Sequence, residues 1–333
     1  MADNKRIAYF DILNVMSCFG VVCLHSNGYV HSFCKDSWWG LRVLVEVLFY
    51  FAVPVFFMLS GATLMAYRER YTTVKFFQKR FQKAVFPYLS WSVFFIVLEM
   101  SSDFSSFNLG GIIMSLTTGV VPYASYWFFI PLFLLYIFIP FLSLMVVRLN
   151  FKQMTCLIAV LFFFQSLLPT IYFIFGYEFN ASLPIGGYFI YALLGYYIAT
   201  FEIEKNNKLC YAVFLIAIIA MTVRFCLLYC SNEKEPMLFT YFGLYAFFPA
   251  GAVFLLLKRV SISNSRLQNR FASFAKKSYG IFLIHSYLIF LFSNFISWKK
   301  PYFILLSALL VYSLSLIIVG VLQKGRWTRY FVP

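Results

Sequence analysis

Apolar stretches of about twenty residues recur along this chain, separated by short basic segments, and nothing else in the sequence restricts its fold so severely. A helix needs roughly 20 apolar residues to cross a bilayer. Ten stretches approach or exceed that length: 8–27, 40–66, 84–100, 126–147, 154–174, 186–201, 209–230, 238–257, 279–297 and 302–322. Only 12% of residues are charged, against about 25% in a soluble domain. The sequence therefore predicts an all-α protein, a polytopic transmembrane bundle of about ten helices. It reads as one integral-membrane domain over residues 1–333, with no separate soluble domain, repeat or low-complexity tract. The first apolar run is too long for a signal peptide and lacks a small-residue cleavage site, so it is expected to stay as a helix.

A net charge of +15 could suggest nucleic acid, but its distribution points to membrane topology. Counting alternate connections from the N-terminus, one set holds 21 Lys/Arg and includes "YRERYTTVKFFQKRFQK" (67–83) and "KRVSISNSRLQNRFASFAKK" (258–277). The other set holds 4: Lys35, Lys234, Lys299 and Lys300. This is a positive-inside pattern, and it predicts both termini in the cytoplasm of a plasma or inner membrane protein that does not bind nucleic acid. The half-apolar outer connection 101–125 is expected to lie on the membrane or re-enter it. The cysteines show no metal spacing; Cys226 and Cys230, one turn apart, read as packing residues, and a Cys34–Cys230 disulfide is open.

Polar groups inside apolar spans are costly and usually face a bundle interior. Asn14 and His25 are eleven residues apart, close to three turns at 3.6 residues per turn. Asp11 and Cys18 extend the same stripe. Helix–helix hydrogen bonding is one reading of this line and a reaction site is the other; Asp11, near the inner boundary, suits an interfacial or capping role. Arg42 and Glu46 have the spacing of a local ion pair. Arg224 either snorkels outward or supplies a cation to a site. Ser60-Gly61 reads as a small pair that lets helices approach. His31, in an outer connection, reads as solvated.

Taken together, these segments resemble the acyltransferase-3 family of integral-membrane acyltransferases. "FDILNVMSCFGVVCLH" (10–25) resembles the family's first-helix motif, which ends in its essential histidine. "VPVFFMLSG" (53–61), "FFQKRFQKAVFPYLSW" (76–91), "YWFFIPLFLLYIFIPFL" (126–142), "YFIYALLGYYI" (188–198) and "SYGIFLIHSYLI" (278–289) resemble later signatures in the same order. Two positions depart. The family usually has Arg where this chain has Asn14, and Arg-x-x-Arg where this chain has Arg80-x-x-Lys83.

The resemblance implies transfer of an acetyl or similar small acyl group from cytoplasmic acyl-CoA to a hydroxyl of a cell-envelope or exported polysaccharide. The acceptor could be a lipid-linked sugar, with membrane lipid and glycan-assembly proteins as further partners. It implies no bound cofactor and no metal, with acyl-CoA as a donor substrate. His25 would be catalytic, supported by Asn14, Asp11 and His285. Arg80, Lys83 and Lys79 would bind the donor's phosphates, which such cations attract. The same basic segment also suits orientation and contact with anionic lipid. The alternative, raised by Asn14, is a transporter or a catalytically inactive partner in glycan export or assembly.

Overall fold

A computed structural model describes residues 6–33, 35–102, 108–177, 187–233, 235–295 and 302–333. Cys34, Lys5, Lys234, Lys299, Lys300 and part of the outer connection lie outside the described residues, so the Cys34–Cys230 pairing does too. In chain order the helices are α1 (Ala8–Ser26), α2 (Trp39–Phe49), α3 (Ala52–Leu64), α4 (Thr73–Arg80), α5 (Phe86–Ser102), α6 (Leu109–Thr118), α7 (Phe129–Val146) and α8 (Phe151–Phe162). They continue with α9 (Leu168–Ile174), α10 (Phe189–Thr200), α11 (Asn207–Cys230), α12 (Leu244–Arg259), α13 (Ser265–Ala275), α14 (Ser278–Ser293) and α15 (Tyr302–Leu322). The described sheet is one small hairpin, β1 (Val120–Val121) antiparallel to β2 (Ala124–Ser125). Its turn has Pro122 followed by Tyr123 at φ 57°, the proline-then-positive-φ order of a type II turn.

Eight helical stretches among the described residues are long and apolar enough to cross a membrane, as expected of a polytopic bundle. Two of the ten expected spans appear as shorter apolar helices, α10 and α14. Proline accounts for three other departures. The stretch 40–66 is two helices, broken at Tyr50 and Phe51. Pro54 has no N–H for the Tyr50 carbonyl and its ring crowds that oxygen. The basic segment before α5 is not a loop: α4 runs into a π-helical turn (Phe81–Val85) ahead of Pro87. A second π-turn (Phe163–Leu167) precedes Pro169. In both places the widened turn relieves the same clash. The outer connection 101–125 contains α6, which has no buried residue, and the β-hairpin.

The chain divides into two compact units, residues 1–65 with 144–275, and residues 66–143 with 276–333. In the first, α3 packs most extensively against α10, with α1 against α3 and α13, and α11 against α2 and α12. Small residues set the α3–α10 spacing. A Cβ on Gly61 would stand 1.8 Å from the Ala192 carbonyl oxygen, and one on Gly195 2.0 Å from that of Met58. The Ser60-Gly61 pair thus permits the close approach expected of it, while the Ser60 hydroxyl donates to the Phe56 carbonyl at 3.0 Å.

This contact gives a direct test. Gly61→Ala must push two backbones apart, and overpacking typically costs about 1–3 kcal/mol. Gly251→Ala meets only the end of Leu194, at 3.8 Å. Thermal unfolding in detergent should show a clear drop for the first and little change for the second. Equal midpoints for the two variants would mean that α3 and α10 are not held at this distance.

In the second unit α14 packs against α15 and β2. Its aromatic core includes Tyr88, Tyr126, Phe129, Phe133 and Phe282. Tyr126 donates to the Leu283 carbonyl and Tyr279 to that of Ala84 in the π-turn, both at 2.6 Å.

Candidate functional site

The polar stripe of α1 lies within the first unit. At its start Arg6 grips Asp11 with two bonds, Nε to Oδ2 at 2.6 Å and Nη2 to Oδ1 at 2.8 Å. Nη2 of Arg6 also donates to the Ala272 carbonyl of α13 at 2.9 Å. Asp11 is therefore an anchor at the end of the helix. It does not cap it, because the residue before the first turn is Ile7 and no side chain caps there.

One turn on, the Oδ1 of Asn14 is buried and accepts no hydrogen bond. Ser17 Oγ, also fully buried, is in the same condition. Buried polar atoms nearly always find a partner, so two orphans on neighbouring turns mark a place where a polar group is wanted. His25 is half-buried in the last turn of α1. It lies about 21 Å along the axis from Asp11 at 1.5 Å per residue. The helix ends one residue later, where Asn27 donates through Nδ2 to the Arg42 carbonyl at 2.7 Å and ties this end to α2.

The expected Arg42–Glu46 pair does not form. Arg42 instead embraces Asp36, with Nη2 2.7 Å from Oδ2 and Nε within 3.2 Å of both oxygens. A hydrogen-bonded guanidinium holds the Asp36 carboxyl below the ordinary carboxylate range. Glu46 is paired with Arg224, Oε1 to Nη2 at 3.4 Å, and both side chains are 1% exposed. Arg224 also donates to the Glu46 carbonyl at 3.3 Å and the Leu238 carbonyl at 3.0 Å. Its guanidinium lies 3.4 Å from the centre of the Tyr50 ring, so it does not snorkel outward.

His31 is likewise not simply solvated: its Nε2 is 3.7 Å from the buried Glu46 Oε2, and its ring lies beside Phe239. Tyr50 stacks on Tyr241 with ring centres 4.4 Å apart, and its hydroxyl is buried without a partner. Tyr50 and Asn27 carried no sequence signal beyond their types. Tyr50 is placed by the break that Pro54 imposes, which is legible only in retrospect.

Lys79, Arg80, Lys83 and His285 belong to the second unit, not to the one holding Asp11, Asn14 and His25. Arg80 is half-buried at the last residue of α4, with its guanidinium 5.9 Å from the Phe76 ring centre and 5.5 Å from that of Tyr136. Its Nε is buried and makes no hydrogen bond. Lys79 covers the Tyr71 ring at 3.9 Å. Lys83 and Lys75 are exposed. The π-turn begins right after Arg80, so Arg80 and Lys83 do not keep ordinary α-helical spacing.

His285 is fully buried on α14. Its Nδ1 lies 2.8 Å from the Phe282 carbonyl oxygen and 3.2 Å from that of Ile281. A carbonyl only accepts, so Nδ1 carries the proton and Nε2 the lone pair. Nε2 is 3.3 Å from Ser286 Oγ, a hydroxyl that sequence reading passed over. Among the described residues no group of three or more His, Cys, Asp or Glu gathers as metal ligands do.

Comparison with known proteins adds one finding to this geometry. A family model described as an acyltransferase domain matches residues 7–322. No curated protein and no solved structure matches.

Proposed function

The chain belongs to the acyltransferase-3 family, and on that premise we propose that this multi-pass membrane acyltransferase moves an acetyl or similar small acyl group from acyl-CoA to a hydroxyl of an envelope or exported glycan. The observation that carries this reading is the half-buried His25 at the end of a polar helix face on which Asn14 Oδ1 lacks a donor.

Acyl transfer to a hydroxyl needs a base, and imidazole titrates in the useful range. In this reading His25 takes the acceptor's hydroxyl proton. The oxygen attacks the carbonyl of the acyl group that acyl-CoA donates, the bond from that carbonyl to the leaving atom breaks, and the proton passes to that atom. Asn14, about 16 Å along the axis from His25 at 1.5 Å per residue, holds a polar part of the bound substrate away from the reacting atoms, or a water, on the same face. Arg80 supports the donor, because a planar cation near two rings with an unpartnered Nε–H is suited to a phosphate. Lys79 and Lys83 add positive charge around it. The plasma or inner membrane, with both termini cytoplasmic, completes the proposal, since acyl-CoA is then available to the basic segments.

The direct experiment supplies labelled acetyl-CoA to membranes from cells with and without the protein and follows label into glycan. Label that enters glycan equally in both samples would remove this reading and leave transport or a non-catalytic role. The donor site makes a second expectation. Arg80→Ala should raise the KM for acetyl-CoA about tenfold, the worth of one hydrogen bond to a charged group. Lys75→Ala, exposed and free to be replaced by solvent cations, should change it less than twofold. Equal small effects would mean that diffuse charge, not a defined Arg80 contact, attracts the donor.

A further inference from the structure

We propose that Ser286 is an acyl-accepting nucleophile and His285 its general base, so that the acyl group passes through a serine ester before it reaches the acceptor. This rests on the reading above that acyl-CoA is the donor.

Three observations within α14 carry the inference. The first is the tautomer: two carbonyl oxygens, of Phe282 and Ile281, face Nδ1, which leaves the lone pair on Nε2. The second is direction. Nε2 is the ring nitrogen beside the Ser286 hydroxyl, at 3.3 Å, slightly longer than the reach of a proton transfer in a loaded site, as unliganded pairs commonly are. The third is burial order. His285 is fully enclosed while Ser286 is only part-buried, so the hydroxyl belongs to the more exposed member of the pair. A nucleophile, a base within reach, and a third group that fixes the base's tautomer are the elements of a serine-acylation site. Here the third group is the main chain. Purely structural service would require only that the buried imidazole meet one carbonyl. The hydroxyl at Nε2 is an additional feature that the first-unit histidines do not explain.

The chemistry balances without further reagents. The Ser286 oxygen attacks the thioester carbonyl as its proton moves to His285 Nε2. The new O–C bond forms, the C–S bond breaks, and the CoA thiolate takes the proton from Nε2. The acceptor oxygen then attacks the ester carbonyl as its own proton leaves. The Ser286–carbonyl bond breaks, and the departing serine oxygen takes up the proton that the acceptor gave up.

The test uses the full-length protein in glycan-free proteoliposomes with radiolabelled acetyl-CoA, acid quench and peptide mapping, alongside CoA release in acceptor-bearing membranes. We expect label on the Ser286 peptide of the wild-type protein, and as much on His25→Ala, since this stage involves no acceptor. Ser286→Ala should carry no label and release CoA about 100-fold more slowly or worse. His285→Gln should slow labelling by a similar factor, the usual worth of a missing base. Ser286→Cys guards against misfolding: it should be labelled, and the label should be released by neutral hydroxylamine, as a thioester is and a serine ester is not. A Ser286→Ala protein that transfers at the wild-type rate, or label confined to another residue, overturns the inference and leaves the transfer reading intact. Wild-type protein that consumes no acetyl-CoA in either system overturns the transfer reading itself, and the serine step with it.

Discussion

His25→Ala protein, inserted and folded, transfers acyl groups between about 100-fold and 10,000-fold more slowly than wild type, the span associated with loss of a positioned acid–base group. The expectation follows from His25's place at the end of the α1 polar face, half-buried and one residue from the helix end. Asn14→Leu separates catalysis from packing on that face. Its buried Oδ1 has no hydrogen-bond partner, and replacing such a group by an apolar one of similar size is nearly neutral or stabilising. The leucine variant should therefore keep or raise its thermal midpoint while transferring more slowly. A variant that loses stability and activity together would make Asn14 a packing residue. His31→Ala, which the sequence alone offers as a silent control, does not serve as one, because that ring lies beside Glu46. Normal transfer by well-folded His25→Ala protein would exclude His25 as the base.

Arg224→Met should destabilise the first unit by about 3–5 kcal/mol, because it leaves the buried Glu46 carboxylate with only the His31 imidazole, 3.7 Å away, beside it. Both partners are 1% exposed, so water cannot take the place of the lost cation. The Tyr50 ring also loses the guanidinium above it, a contact worth about 2 kcal/mol or more when desolvated. Arg42→Met is the internal comparison. Its partner Asp36 is 28% exposed, and solvent can stabilise that carboxylate, so the expected loss is smaller. The double variant Glu46→Leu with Arg224→Met should recover much of the single variant's loss, since replacing both members of a buried pair is often neutral. Thermal unfolding followed by intrinsic fluorescence ranks the three. An Arg42→Met loss equal to that of Arg224→Met would contradict the burial argument, and a double variant worse than Arg224→Met would contradict the pairing.

The class of protein and the outline of its helices were legible because hydrocarbon imposes a length and a polarity on each segment separately. The α1 stripe was legible for a similar reason: Asp11, Asn14 and His25 lie on one helix, where spacing alone decides who shares a face. The close approach at Gly61 could be anticipated from a missing side chain, although Ala192 as the atom met could not. Partner choice was a matter for the tertiary structure. The i,i+4 spacing of Arg42 and Glu46 permits a pair but supplies no reason to prefer it over Asp36, which offers both carboxylate oxygens. Nor does it foresee Arg224, 178 residues away in sequence. A buried charge goes to whichever opposite charge the packed helices bring within reach, and that depends on α2 and α11 lying side by side. The same holds for Tyr50, which reaches Arg224 because Pro54 breaks the helix before it, and for Ser286. One position in the sequence separates Ser286 from His285, and only the ring's orientation, fixed by two main-chain carbonyls, turns Nε2 toward the hydroxyl.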